Sequence, residues 1–183
     1  KGVGALWVRG RPSPLRLEPR VVGGGQEQGL RAGTLNVPGI VGLGHACRLV
    51  EQERGADAAR VGTLRDRLLT GLRAAFPELL VHGSLAQRLP NNLNLGLPGV
   101  EAAALLAALP EVALSTGSAC ASATPEPSHV LVAMGLSEAA LRGAFRVGLG
   151  RETSAETIDF ALQRLTRVGE RLAAARREAG QGG

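Results

Sequence analysis

Leu-Ser-Thr-Gly-Ser-Ala-Cys-Ala-Ser-Ala, residues 114–123, is followed by Thr-Pro-Glu-Pro-Ser. Every residue around the Cys120 thiol is small. An apolar run, Val112-Ala113-Leu114, leads in, and Pro125 and Pro127 lead out. Such a stretch reads as a flexible loop at the end of a strand, carrying one thiol to a reaction centre. The competing reading is a small buried hydrophobe. Core cysteines sit among branched aliphatics, however, and Cys120 does not. Cys47 shows the contrast: it shares a helical spacing with Ile40, Leu43 and Val50, which predicts a core position.

Outward from the loop, strands and helices alternate, as in an α/β fold. Leu93, Leu95 and Leu97 alternate with Asn92, Asn94 and Gly96, the period of a half-buried strand. Residues 79–83 read as a short strand, 100–109 as a helix and 112–115 as a strand. Pro127 opens a short helix that Gly135 closes, and Ser137 caps another. Ala144 to Gly148 is a strand; Phe145 and Val147 share one face, so Arg146 takes the other. There Arg146 is either a solvated side chain or a rigidly presented fork of donors suited to a carboxylate. Thr153 and Glu156 form a capping box for a last helix with Ile158, Leu162, Leu165 and Leu172 as its buried stripe.

Upstream, Asn36 and Pro38 open a helix to about Val50. Gly55 is expected to kink or break it, and Val61, Leu64, Leu68, Leu72 and Phe76 resume the pattern to Pro77. Val21 to Thr34 contains a triple glycine, Gly23–Gly25, which matches neither dinucleotide nor P-loop spacing. Alone it reads as a linker. Val3 to Val8 reads as a strand. A strand directly after Lys1 needs partners, which is expected of a fragment whose beginning is missing.

The bulk numbers narrow the class. The chain has 183 residues, 44% of them hydrophobic, enough for one domain or one and part of another. No apolar stretch has the length of a membrane span, and no signal-peptide pattern opens the chain. Two cysteines in unlike settings suggest no disulfide framework, so a reducing cytoplasm is the default. Three histidines and two scattered cysteines give no metal-ligand spacing. The net charge of +5 raises the question of nucleic acid, but arginines interleave with acids and aromatics are only 2%. A positive field of this size suits an acidic protein partner.

Six motifs in order carry a resemblance. They are Lys-Gly-Val-Gly-Ala-Leu-Trp-Val-Arg at 1–9, Gly-Gly-Gly-Gln-Glu at 23–27 and Leu-Arg-Ala-Gly-Thr at 30–34. With them stand Leu-Pro-Asn-Asn-Leu-Asn at 89–94, Ser-Thr-Gly-Ser-Ala-Cys-Ala-Ser at 115–122 and Phe-Arg-Val-Gly-Leu-Gly-Arg at 145–151. Over nearly its whole length the chain resembles the C-terminal part of a cysteine desulfurase, in the class V aminotransferase superfamily of pyridoxal-phosphate enzymes. The Gly-Ser-Ala-Cys form is similar to the long-loop group, which hands sulfur to separate scaffold proteins.

The resemblance implies a fold-type I architecture. Residues 1–36 would end the large pyridoxal-phosphate domain and its dimer contact, and residues 37–183 would form a connector helix and the small C-terminal α/β domain. It implies that Cys120 is the nucleophile that takes sulfur from L-cysteine as a persulfide and leaves L-alanine. It implies that Arg146 grips the substrate carboxylate, and that Thr34 reaches across a homodimer to the partner's cofactor phosphate. The three glycines before it would allow that approach. Gln26 stands where many members have histidine, Gln28 where arginine is usual and Ala32 where serine is usual. The family's Schiff-base lysine follows Ser-x-His, upstream of a Gly-Pro-Lys-Gly segment that Lys1-Gly2 match. The attachment site is therefore expected outside this chain, which alone would be inactive. His45, His82 and His129 match no catalytic position. Two other readings stand beside this one: a selenocysteine lyase, and a cofactor-free persulfide carrier that keeps only Cys120.

Overall fold

The computed structural model describes residues 2–9, 16–116 and 127–181. They divide between two compact units, residues 1–54 and 55–183, which meet within one long helix. That helix, α1, runs unbroken over Val37–Ala75. Asn36 caps it, its Oδ1 accepting the Gly39 N–H at 3.1 Å. The break expected at Gly55 is absent. A helical glycine costs about 1 kcal/mol relative to alanine, far less than proline, and the surrounding ladder absorbs it.

The first unit departs most from the sequence reading. Residues 2–9 form no strand; among the described residues no neighbouring strand takes up their N–H and C=O groups, and Leu6 and Trp7 are each 76% exposed. Cys47 is exposed rather than buried, because no described residue of this unit covers the apolar side of α1 where Ile40 and Val50 also lie open. The triple glycine is not a slack linker. The Ala32 N–H donates to the Val21 carbonyl at 3.1 Å and the Gly29 N–H to that of Gly25 at 3.2 Å, closing the segment on itself around a 3-10 turn, Gln26–Gly29.

The second unit is a three-stranded antiparallel sheet with helices packed on it. Its strands are β1, Leu80–Val81, β2, Asn92–Gly96, and β3, Ala144–Gly148, in the order β1-β2-β3. Three short helices, α2, Ala102–Ala107, α3, His129–Ala133, and α4, Glu138–Gly143, lie between β2 and β3 in the chain. The long α5, Ala155–Gln181, closes the unit. Leu93 and Leu95 of β2 and Phe145 and Val147 of β3 face the core, as the alternation predicts. They meet Leu64, Leu68 and Leu72 of α1 and Ile158, Leu165 and Val168 of α5. The expected strand at 112–115 reduces to a single bridge at Ser115.

The start of α5 differs in detail from the expected capping box. Ser154, not Thr153, is the cap: its Oγ accepts the Thr157 N–H at 3.2 Å. The Thr153 hydroxyl instead accepts the Gly150 N–H at 2.9 Å, holding the turn that leads in.

Candidate functional site

The outer face of the sheet carries a polar row, set by the ladder itself. β2 and β3 pair with Asn94 opposite Arg146. Beyond β3, Ser115 exchanges both backbone bonds with Arg146, at 2.6 Å from the Arg146 N–H and 3.2 Å from its own. On the other side the His82 N–H donates to the Asn94 carbonyl at 2.9 Å. His82, Asn94, Arg146 and Ser115 therefore lie side by side on four adjacent segments. Directly opposed residues share a face, so this row stands on the side away from Leu93, Leu95, Phe145 and Val147.

Arg146 is exposed, as its strand position predicts, and its guanidinium bonds no other described residue. A rigid strand thus presents five donors with an uncommitted positive charge. Such a fork matches a carboxylate in two parallel hydrogen bonds. The Ser115 bridge places the start of the cysteine segment against that arginine. Cys120 itself lies outside the described residues.

His82 is nine-tenths buried, and its Nε2 has no hydrogen-bond partner among the described residues; the same holds for Asn94 Oδ1. Burial lowers the His82 pKa, so its ring is neutral near pH 7. Arg88 straps the end of β1, its guanidinium donating to the carbonyls of His82 at 2.6 Å and Ser84 at 2.7 Å. Desolvation, followed by the charge of Arg65, lowers the Arg88 pKa. The sequence alternation placed Asn94 on the outer face but could not show its cross-strand partners, and His82 carried no signal beyond being a histidine. The other two histidines are exposed: His45 pairs with Arg48 on α1, and His129 opens α3.

Thr34 belongs to the first unit. It is exposed at the end of the glycine loop. Gln26 Oε1 accepts the Gly33 N–H at 3.2 Å, and Arg31 Nη1 donates to the carbonyls of Gly33 and Thr34 at 3.2 and 3.3 Å. So Gln26, one of the departures noted in the sequence, holds the loop in shape. Glu27 and Gln28 both have positive φ, 51° and 58°, a conformation that costs a side-chain-bearing residue about 1–2 kcal/mol. Strain of this kind collects at ligand clamps and switches.

Among the described residues no helix is long and apolar enough to cross a membrane, and no three His, Cys, Asp or Glu side chains gather as a metal site.

The class-V aminotransferase family matches residues 1–160. The chain belongs to that family. It is 52% identical over 163 residues to a cysteine desulfurase, IscS, of Anaeromyxobacter dehalogenans, a match that covers 89% of this chain and 40% of the relative. The mitochondrial cysteine desulfurase of Arabidopsis thaliana is 47% identical over 172 residues, 94% of this chain and 38% of that protein. Among solved structures, a NifS-like protein superposes with a TM-score of 0.72 at 30% identity, over 86% of this chain and 40% of its own. The class-V chain thus has the α/β fold of these enzymes and spans about 40% of the length of the curated relatives it matches.

Enzymes of this family and the cysteine desulfurases depend on pyridoxal 5′-phosphate. The described residues fit part of that requirement. Lys1 is the one lysine of the sequence and lies outside them, so they offer no amine for covalent attachment. What they offer are anion contacts: the free Arg146 fork and the exposed Thr34 hydroxyl on its hydrogen-bonded loop.

Proposed function

We propose that this chain is the part of a pyridoxal-phosphate-dependent cysteine desulfurase that accepts sulfur from L-cysteine. The observation that carries the reading is the double backbone bridge between Ser115 and Arg146. It sets Ser115, from which the sequence leads to Cys120, beside Arg146, a strand residue shaped to hold an amino-acid carboxylate. Arg146 holds that carboxylate. The Cys120 thiolate attacks the substrate sulfur, and the bond from that sulfur to Cβ breaks. The electron pair stays with Cβ, which takes a proton to give L-alanine, and Cys120 keeps the sulfur as a persulfide. Pyridoxal phosphate, when bound, supplies the electron sink that labilises the substrate; its attachment lysine lies outside this chain.

In this reading residues 1–36 belong to the cofactor domain and its homodimer surface, where Thr34 contacts the partner subunit's cofactor phosphate. Residues 37–183 form the connector and the smaller domain that carries the cysteine. The persulfide passes to a separate sulfur acceptor, such as an iron–sulfur scaffold protein, in the cytoplasm. The support is the 52% identity to a desulfurase together with the order of the motifs.

The test is production of L-alanine and protein-bound persulfide from L-cysteine by the pyridoxal-phosphate-loaded parent protein that contains this chain. Cys120→Ser is expected to abolish the persulfide. Arg146→Ala is expected to lower kcat/KM by about a hundredfold, the loss of charge-assisted bonds to a carboxylate. Full turnover by Cys120→Ser would refute the mechanism. A persulfide on Cys120 that forms only when a separate desulfurase is added would replace it with the carrier reading.

A further inference from the structure

We propose that Asn94 is a positioning residue for Arg146, setting the direction of its guanidinium for the bound carboxylate. The inference rests on the reading of Arg146 given above and adds a residue to it.

The argument begins with the ladder. Within one strand residue, the N–H and C=O point to the same side. Both groups of Arg146 are spent on Ser115, and the carbonyl of Asn94 is spent on His82. Asn94 and Arg146 therefore form a non-hydrogen-bonded antiparallel pair. Side chains of such pairs approach more closely than those of hydrogen-bonded pairs. Asn94 Oδ1 is an acceptor on the residue that the register sets opposite Arg146, and it is buried with no donor among the described residues. Buried polar atoms are almost always satisfied, and each exception calls for an explanation. Two donors flank it: His82, whose Nε2 is turned toward Gly96, 3.1 Å from the position of a Cβ there, and Arg146, whose side chain is committed to no other described residue.

The two observations fit one device. An arginine has more N–H groups than a carboxylate can use. Two face the ligand, and another can donate to Asn94 Oδ1. That third bond fixes the plane of the fork, which an exposed arginine otherwise leaves to rotamer freedom. It also satisfies an oxygen that is otherwise stranded. Gln in place of Asn would overshoot by one methylene, and Asp would compete with the ligand for the same charge.

The test uses equilibrium binding to the pyridoxal-phosphate-loaded parent protein that contains this chain, so that no turnover enters. The ligands are L-alanine, which carries the carboxylate, and L-alaninamide, which does not. Arg146→Ala is expected to weaken L-alanine by about a hundredfold and leave L-alaninamide unchanged. Asn94→Ala is expected to weaken L-alanine by about tenfold, again sparing the amide. The double variant is expected to bind L-alanine no worse than Arg146→Ala alone, because Asn94 acts only through the arginine. Asn94→Asp, of the same shape, is expected to weaken L-alanine by more than tenfold near neutral pH. Wild-type affinity in Asn94→Asp, equal losses for both ligands in Asn94→Ala, or independent losses in the double variant would each overturn the role of Asn94. If Arg146→Ala keeps L-alanine affinity, the Arg146 reading itself fails, whatever Asn94 does.

Discussion

The same substitution, glycine to alanine, is expected to act with opposite sign at two helical positions. Gly62 lies in α1, where an added Cβ meets nothing nearer than Pro90 Cβ at 3.9 Å. There only propensity counts, and alanine is expected to stabilise by about 0.5–1 kcal/mol. Gly169 lies in α5, where a Cβ would stand 2.8 Å from Phe76 Cζ and 2.9 Å from Leu97 Cδ1. Leu97 is buried, and Phe76 packs against the core from the end of α1, so the new atom is squeezed from two sides. Overpacking of this kind costs about 1–3 kcal/mol, of which propensity returns somewhat under 1. The net expectation is a loss of about 1–2 kcal/mol. For a domain of this size each kcal/mol moves Tm by roughly 3–5 °C. Urea titration followed by far-ultraviolet circular dichroism, with thermal melts, separates the variants if their m-values agree. A Gly169→Ala protein as stable as Gly62→Ala would refute the packing of α5 on Phe76 and Leu97.

Two further expectations follow from other parts of the second unit. The folded His82 has a pKa below the ordinary value of about 6.5, so between the two values the unfolded chain binds more protons. Stability should therefore fall as the pH drops below about 6.5, and this slope should shrink in His82→Gln; identical slopes would show that the ring is not buried and neutral. Ser154→Ala should cost about 1 kcal/mol and speed hydrogen exchange at the Thr157 amide, whereas Thr153→Ala should leave exchange at that amide unchanged, in contrast to a capping box built on Thr153.

The readable parts of the chain were those in which one element's own period decides the outcome. Leu93 and Leu95 against Asn92 and Asn94 show their faces without a partner, and so does the Ile158–Leu165 stripe of α5. Arg146 was placed outward by the same alternation. What escaped depends on neighbours. Val3 to Val8 has the composition of a strand, yet a strand exists only as a pair. The Cys47 spacing describes a face, not what covers it. Ser154 and Thr153 are both competent caps, and the turn at Gly150 decides between them by engaging Thr153. The juxtaposition of His82, Asn94, Arg146 and Ser115 is a matter of register between segments far apart in sequence, which no local pattern contains. Cys120 and its proposed persulfide rest on the motif and on the relatives, while the structure contributes the anchor at Ser115.

That anchor sets a leash. Cys120 follows Ser115 by five residues, and a chain advances at most about 3.6 Å per residue, so the chain length alone limits its backbone to within about 18 Å of the bridge to Arg146. In the proposed reading, a sulfur acceptor served by this thiol has to bring its own reactive atom inside that radius, plus one side-chain length. Delivery is then a problem of docking rather than of diffusion. Lengthening the stretch between Ser115 and Cys120 would widen the circle of acceptors at the expense of the thiol's local concentration at Arg146.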